Sequence, residues 1–84
     1  MNLPKYRSHK IVEAIKIGNV ILQTNNPVVL VPLDIKYDNI IVSLEYYNKH
    51  VPYIGGYYVR YPDGYESFSP AEAFESGYTL VEEN

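Results

Sequence analysis

The first quarter of the chain is dominated by apolar residues that recur with the period of two typical of β-strands. Residues 9–17 follow this pattern with apolar side chains on both faces, which indicates a strand. Gly18 and Asn19 come next, and both residue types tolerate the positive φ values of tight hairpin turns. The pattern therefore predicts a turn at these two residues and a second strand at residues 20–23.

A third strand is predicted at residues 28–31, a short apolar run rich in β-branched residues. Pro27 and Pro32 bracket this run, and proline cannot donate a hydrogen bond to a neighbouring strand. We therefore expect this strand to be very short or to lie at an edge of the sheet. A free edge here, or at the C-terminal strand, would let a second copy of the chain pair with it, so we also expect a homo-oligomer.

Two interpretations compete for residues 40–50. The segment begins with β-branched residues, which favour a strand, but Ser43 could cap a short helix. Pro52 would end that helix, because the residue before a proline is disfavoured in helical conformation. We favour a short helix from about Ser43.

Residues 57–69 have the pattern of a β-hairpin. Pro62 suits the first inner position of a type I turn, and Gly64 suits the left-handed residue that closes a three-residue loop. This turn predicts the register of the two strands, with Tyr58 opposite Phe68, Val59 opposite Ser67 and Arg60 opposite Glu66.

The sequence Ser-Pro-Ala-Glu at residues 69–72 has the form of a capping box that starts a helix. Gly77 would end that helix in a left-handed conformation, and residues 78–81 would return as a final strand. The predicted fold class is therefore α+β: a small antiparallel sheet of about five to six short strands with one or two short helices, at about 43–50 and 70–76, in a single domain.

Composition and charge limit the functional classes. The chain has 84 residues, no cysteine and a net charge of −3. Basic residues crowd the first sixteen positions, whereas acidic residues dominate the end. The acidic total argues against general nucleic-acid binding. With no cysteine and no apolar run long enough for a membrane span or signal peptide, we expect the protein to act in a reducing cytosol without contacting a membrane.

The sequence contains no recognisable catalytic pattern. His9 and His50 are forty-one positions apart with no cysteine nearby, so no metal-ligand spacing is present. None of the five serines lies in a Gly-x-Ser-x-Gly motif, and no glycine-rich phosphate loop occurs. We therefore expect neither an enzyme nor a cofactor.

Tyrosine is the unusual feature of the composition, with ten residues in the chain. A tyrosine side chain combines a large apolar ring with a polar tip, which suits protein interfaces and stacking on nucleotide bases. A core of this size cannot enclose so many rings, so we expect some of them to be available for recognition.

Two segments resemble a family of small bacteriophage accessory proteins. These are the opening KYRSHKIVEA at residues 5–14 and the closing GGYYVRYPDGYESFSPAEAFESGYT at residues 55–79. The ending is also similar to the Ser-x-Ser-Pro-x-x-x-Phe-Glu signature of the Thoeris anti-defence family. Members of that family are phage proteins that sequester cyclic ADP-ribose-type signals at subunit interfaces. The resemblance implies a host-takeover or anti-defence role in the cytoplasm of a bacterial host.

Two hypotheses follow from these observations. In the first, the protein sequesters a nucleotide-type immune signal, with cationic side chains on phosphates and aromatic rings on bases. In the second, it is a protein inhibitor whose acidic, tyrosine-rich face docks on a host defence or nucleic-acid enzyme. The candidate ligand-binding residues of the first hypothesis are Arg7, Lys10, Tyr57, Arg60, Tyr65 and Phe68.

Overall fold

A computed structural model describes residues 3–8, 11–25 and 27–81 of the chain. It confirms the predicted α+β class: one antiparallel sheet of seven strands carries two short helices. The elements, in chain order, are β1 (Lys5–Arg7), β2 (Ile11–Ile21), β3 (Val28–Pro32), β4 (Ile40–Val42), α1 (Leu44–His50), β5 (Tyr57–Arg60), β6 (Glu66–Ser69), α2 (Ala71–Gly77) and β7 (Thr79–Leu80).

The predicted turn at Gly18 and Asn19 is wrong, because β2 runs through both residues. The register between β2 and β3 shifts between Ile17 and Asn19, as in a β-bulge. A Cβ atom at Gly18 would lie 2.8 Å from the Cα atom of Leu33, so glycine is required here for close approach of two backbones. The glycine marks a bulge, and the sequence pattern alone does not distinguish a bulge from a turn.

The strand predicted at residues 28–31 exists, and it is short, but it does not lie at an edge. β3 pairs with β2 on one side and with β4 on the other. Pro32 is tolerated because it occupies the last position of β3, next to the bulge, where the regular ladder ends. The edge position belongs to β4, which pairs only with β3.

The β5–β6 hairpin confirms the predicted register at all three residue pairs. Gly64 adopts φ +93°, and its N–H donates to the Tyr61 carbonyl at 2.9 Å, which closes the turn. Arg60 lies opposite Glu66, but its guanidinium binds Glu13 of β2. Glu66 instead accepts a hydrogen bond from the hydroxyl of Tyr58.

The prediction of α1 is confirmed, including its cap: the Ser43 hydroxyl accepts a hydrogen bond from the Tyr46 N–H at 3.0 Å. In α2 the predicted capping box is wrong. Ser69 belongs to strand β6 and makes no cap contact, so Pro70 occupies the N-cap position. Gly77 is the last helical residue and does not adopt positive φ, and Tyr78 leaves the helix in extended conformation.

The sheet carries a core cluster on each face, because successive residues of β5 point in opposite directions. Tyr58 belongs to the larger cluster, which includes Tyr46 of α1 and the inward residues of β3 and β4. Tyr57 and Val59 belong to the smaller cluster, which is centred on Phe74 of α2. The first half of β2 is therefore covered on both faces.

Candidate functional site

The most distinctive feature of the backbone is that β1 and the end of β3 meet the same edge of β2. The N–H of Ala14 donates to the Pro4 carbonyl, and two residues later the Lys16 carbonyl accepts from the Leu33 N–H. Ile17 makes its backbone hydrogen bonds at the opposite edge of β2. Its N–H donates to the Gly56 carbonyl, and its carbonyl accepts from the Gly55 N–H. Two separate chain segments thus share one edge, and a gap is left between them.

A cleft with a volume of about 380 Å³ occupies this gap, and we call it the junction cleft. Its volume lies within the range of about 300–1,000 Å³ typical of small-molecule sites. One wall comes from β1 and β7, the other comes from the β3–β4 connection, and β2 and β5 form the floor. The lining residues are Pro4, Tyr6, Ile15, Lys16, Leu33, Asp34, Lys36, Tyr37, Tyr57 and Leu80.

The floor of the junction cleft is held in place by Glu75 of α2. The Lys16 ammonium donates to Glu75 Oε2 at 3.2 Å, and the Tyr57 hydroxyl donates to the same oxygen at 2.8 Å. The hydrogen bond from Tyr57 and then the Lys16 charge lower the pKa of Glu75. Burial, followed by the hydrogen bond to Glu75, raises the pKa of Tyr57. The floor therefore places a lysine ammonium and a tyrosine hydroxyl on one carboxylate oxygen.

An aromatic stack supports this floor from the side of α2. The rings of Tyr57 and Phe74 are stacked with centroids 4.3 Å apart, and Tyr78 stacks on Phe74 at 4.5 Å. Tyr6 meets Phe74 edge to face at 4.8 Å. Burial is the main cause that raises the pKa of Tyr6. These contacts hold the rings of Tyr6 and Tyr57, the two rings that the covered side of the sheet contributes to the cleft.

The opposite wall carries the more accessible charge. Lys36 is exposed over 69% of its side chain, and its ammonium lies 4.0 Å from the Asp34 carboxylate. The same ammonium lies 5.3 Å from the centre of the Tyr37 ring, in a cation–π arrangement. Leu33 and Leu80 add exposed apolar surface on either side of the gap. This wall offers a cation, an acceptor and apolar contacts to an incoming ligand.

A second cleft, of about 390 Å³, lies beside the turn of the β5–β6 hairpin and is lined by Lys5, Ile11, Val12, Glu13, Arg60, Tyr61, Pro62 and Gly64. We call it the hairpin cleft. One of its two cations, Arg60, is already paired, because its Nη2 lies 2.9 Å and its Nε 3.1 Å from Glu13 Oε1. That pairing is also the main cause that raises the pKa of Arg60. The other cation, Lys5, is exposed on β1. An anion entering the hairpin cleft would have to compete with Glu13.

The structure does not bring the six predicted binding residues together. Tyr57 is buried at the floor of the junction cleft, whereas Arg60 lines the hairpin cleft. Arg7 is exposed on β1, and Lys10 lies outside the described residues. The two remaining residues are near α1 and the α1–β5 connection: Tyr65 accepts a hydrogen bond from Lys49, and Phe68 packs edge to face against Tyr53.

The tyrosines do not form a single exposed recognition face. Three are buried, five are half-buried, and only Tyr53 and Tyr65 are exposed. Most of them therefore extend the core to its periphery, with the hydroxyl reaching a partner or the surface. The Tyr46 hydroxyl, for example, donates to the Ser67 carbonyl at 2.6 Å.

Sequence reasoning missed the β3–β4 wall of the junction cleft. Lys36 and Tyr37 lie in the stretch at 34–39 where the strand pattern breaks, and loops positioned by a rigid scaffold commonly carry binding residues. The break in the strand pattern was therefore the signal that could have identified Lys36 and Tyr37 as candidate binding residues. Nothing in the sequence indicates that this loop lies beside β1, because the juxtaposition depends on the unpredicted bulge at Gly18.

In the described part of the chain, no helix is long and apolar enough to cross a membrane, and no cluster of three or more potential ligand side chains could hold a metal ion. No protein-family model, curated protein or solved structure matches the sequence. The resemblance to phage accessory proteins therefore stays a prediction.

Proposed function

We propose that this protein is a phage accessory protein that acts in the host cytoplasm by sequestering a small nucleotide-type ligand in the junction cleft. The observation that carries the proposal is the convergence of cationic, aromatic and apolar side chains on one cleft. The sequence resemblance supports the biological setting. In this role the protein retains its ligand and does not convert it.

The chemistry of the lining matches the parts of a nucleotide. Lys16 and Lys36 would meet phosphate oxygens, because ammonium groups are common phosphate ligands. Leu33, Leu80 and the ring of Tyr37 would contact the faces of the base. Asp34 would accept hydrogen bonds from ribose hydroxyls or an exocyclic amine, since an ionised carboxylate only accepts.

The junction cleft is favoured over the hairpin cleft because it places an exposed cation beside an aromatic ring and two exposed leucines. Each cleft has one paired cation, Lys16 or Arg60, and one exposed cation, Lys36 or Lys5. Lys36 has a long contact with Asp34 and lies over the Tyr37 ring, where a bound base would also lie. Arg60 is held by two hydrogen bonds to Glu13, which a ligand would have to break. Binding residues should therefore be sought on β2, β7 and the β3–β4 connection.

Calorimetric titration of the full chain with ADP-ribose and with AMP tests the proposal. We expect saturable binding of at least one nucleotide. We expect the dissociation constant to rise by about tenfold in Lys36→Glu, which corresponds to the loss of one charge-assisted contact. Lys49→Glu on α1 is the matched control, because Lys49 does not line the cleft, and it should bind like the wild type.

Two results would reject this site. Neither nucleotide binds, or Lys36→Glu and Lys49→Glu both bind as tightly as the wild type. In the first case the protein-inhibitor hypothesis gains weight, and capture of a stoichiometric host enzyme by the folded wild-type protein would support it. The scattered placement of the tyrosines makes that second hypothesis the weaker one.

A further inference from the structure

The junction cleft has as many carboxylates around it as cations. The Lys16 ammonium lies 3.2 Å from a Glu75 carboxylate oxygen, and the Lys36 ammonium lies 4.0 Å from an Asp34 carboxylate oxygen. Asp34 lines the cleft itself, and Glu75 holds its floor through Lys16 and Tyr57. Among the residues that the structure describes, the side-chain charges around this cleft therefore sum to zero.

Both carboxylates are accessible to water. The Asp34 side chain is exposed over 53% of its surface, and the Glu75 side chain over 50%. Exposed carboxylates are ionised near neutral pH, and an ionised carboxylate only accepts hydrogen bonds. A phosphate oxygen also accepts, so it forms no hydrogen bond with either carboxylate and is repelled by both. Each phosphate in the cleft therefore needs an ammonium group that offsets this repulsion.

The β3–β4 connection fixes the position of the Asp34 carboxylate. Its Oδ1 accepts a hydrogen bond from the Lys36 N–H at 3.1 Å, and the Asp34 carbonyl accepts one from the Tyr37 N–H at 3.2 Å. The first of these hydrogen bonds forms an Asx turn. Because moving the carboxylate away from a ligand would break this hydrogen bond, its charge stays at the cleft wall.

We propose that the junction cleft admits nucleotides with up to about two negative charges and rejects nucleoside di- and triphosphates. This charge limit rests on the proposed nucleotide binding and adds the charge class of the ligand. Lys16 and Lys36 together can offset the charge of about −2 on one terminal phosphate. A further phosphate adds negative charge beside Asp34 and Glu75, and the described lining residues offer no third cation.

The charge of the whole chain acts in the same direction. With a net charge of −3, the protein repels anions, and the repulsion grows with the charge of the ligand. A protein that sequesters one nucleotide must also avoid occupancy by the nucleoside triphosphates of its cell, and a fixed like charge discriminates against such competitors. Asp34 is the specificity-determining residue, because it is the only carboxylate among the described residues that line the cleft.

Calorimetric titration with AMP, ADP and ATP tests the charge limit, because these nucleotides share one base and one ribose. The buffer contains a chelator and no magnesium, so that the phosphates keep their charge. We expect the dissociation constant to rise by about fivefold with each added phosphate, which is the effect of one close like-charge contact in water. In Asp34→Asn, the ratio of the ATP to the AMP dissociation constant should fall by about fivefold. Asparagine keeps the Oδ1 acceptor, so the Asx turn remains.

Asp63→Asn is the matched control. Asp63 is also exposed, and its Oδ1 accepts a hydrogen bond from the Tyr65 N–H at 3.0 Å in the same kind of turn. The substitution changes the net charge of the protein as Asp34→Asn does, but Asp63 does not line the junction cleft. Asp63→Asn should therefore keep the wild-type ratio of dissociation constants.

The possible outcomes separate the charge limit from nucleotide binding itself. Dissociation constants that are equal for the three nucleotides, or that fall with each added phosphate, would overturn the charge limit and leave nucleotide binding intact. An equal change of the ratio in Asp34→Asn and Asp63→Asn would overturn the role of Asp34. If none of AMP, ADP, ATP and ADP-ribose binds, the proposed function and the charge limit are rejected together.

Discussion

The two halves of β2 lie in different surroundings. The first half, up to Ile17, pairs with β1 and β5 and has a core cluster on each face. The second half, from Asn19, pairs with β3 and has a core on one face only. We call the part of the sheet around the first half of β2 the covered half, and the part around its second half the open half. β2 is one continuous strand, but only its first half has a core cluster on each face.

The difference suggests a division of roles. The covered half contains the aromatic stack of α2, which gives rigidity and holds the floor of the junction cleft. The open half supplies the other wall of that cleft. Recognition is therefore expected where the two halves meet. Stability is expected from the buried residues, which the open half also has on its inner face.

The largest expected effect tests this division directly. Phe74 is 1% exposed at the centre of the aromatic stack, so Phe74→Ala should lower the free energy of unfolding by about 3–5 kcal/mol. Ile41→Ala on the open half should change it by about 0.5 kcal/mol or less, because the side chain is exposed. Both values come from denaturant unfolding of the protein at a concentration where it is monomeric.

Phe74→Leu keeps that comparison measurable if Phe74→Ala fails to fold. The leucine variant retains most of the buried volume, so its loss should be smaller than that of the alanine variant but still exceed that of Ile41→Ala. Equal losses for the Phe74 and Ile41 variants would contradict the placement of Phe74 at the centre of a buried stack.

The next effect concerns the junction between the halves. Gly18→Ala places a methyl group against the backbone of Leu33, and the two segments must separate to admit it. We expect a loss of about 1–3 kcal/mol in the free energy of unfolding. Gly77→Ala is the matched control, since a Cβ atom there meets nothing within 4 Å. It should leave the stability unchanged or raise it by up to about 1 kcal/mol, because alanine is the better helix former. An unchanged free energy of unfolding in Gly18→Ala would argue against the close approach of the Gly18 and Leu33 backbones.

The smallest expected effect is a pH dependence of the covered half. Burial raises the pKa of Tyr57 above its ordinary value, so folding favours the neutral phenol. The contribution to stability is complete below the ordinary tyrosine pKa of about 10 and is lost as pH rises toward the folded-state pKa. We expect the denaturant midpoint to fall above about pH 10. Tyr57→Phe should fall less steeply over the same interval, and an equal slope would contradict the assignment.

The parts of the fold that could be predicted are those determined by local chemistry. The Pro62–Gly64 turn fixed the hairpin register, and Ser43 capped α1 as expected. Ser69 has the same local signature, but β6 pairs it with Tyr57, and strand pairing took precedence over the cap. Local patterns could not reveal which contacts distant segments would make.

The site was less predictable for the same reason. Arg60 and Tyr57 are three residues apart, yet the alternation of β5 sends them to opposite faces of the sheet, and so to different clefts. Lys16 and Lys36 are twenty residues apart, but the bulge at Gly18 brings their segments to one cleft. A list of cationic and aromatic residues therefore identified suitable chemistry without identifying which residues share a site.

The measurement that tests the central claim most directly is a two-dimensional amide NMR titration of the wild-type protein with ADP-ribose. If the junction cleft binds the ligand, we expect saturable shift changes that cluster at Lys16, Leu33, Lys36 and Leu80, which surround this cleft. Shift changes clustered instead at Glu13, Arg60 and Gly64 would place the site in the hairpin cleft. That result, or the absence of any saturable change, would contradict ligand binding in the junction cleft.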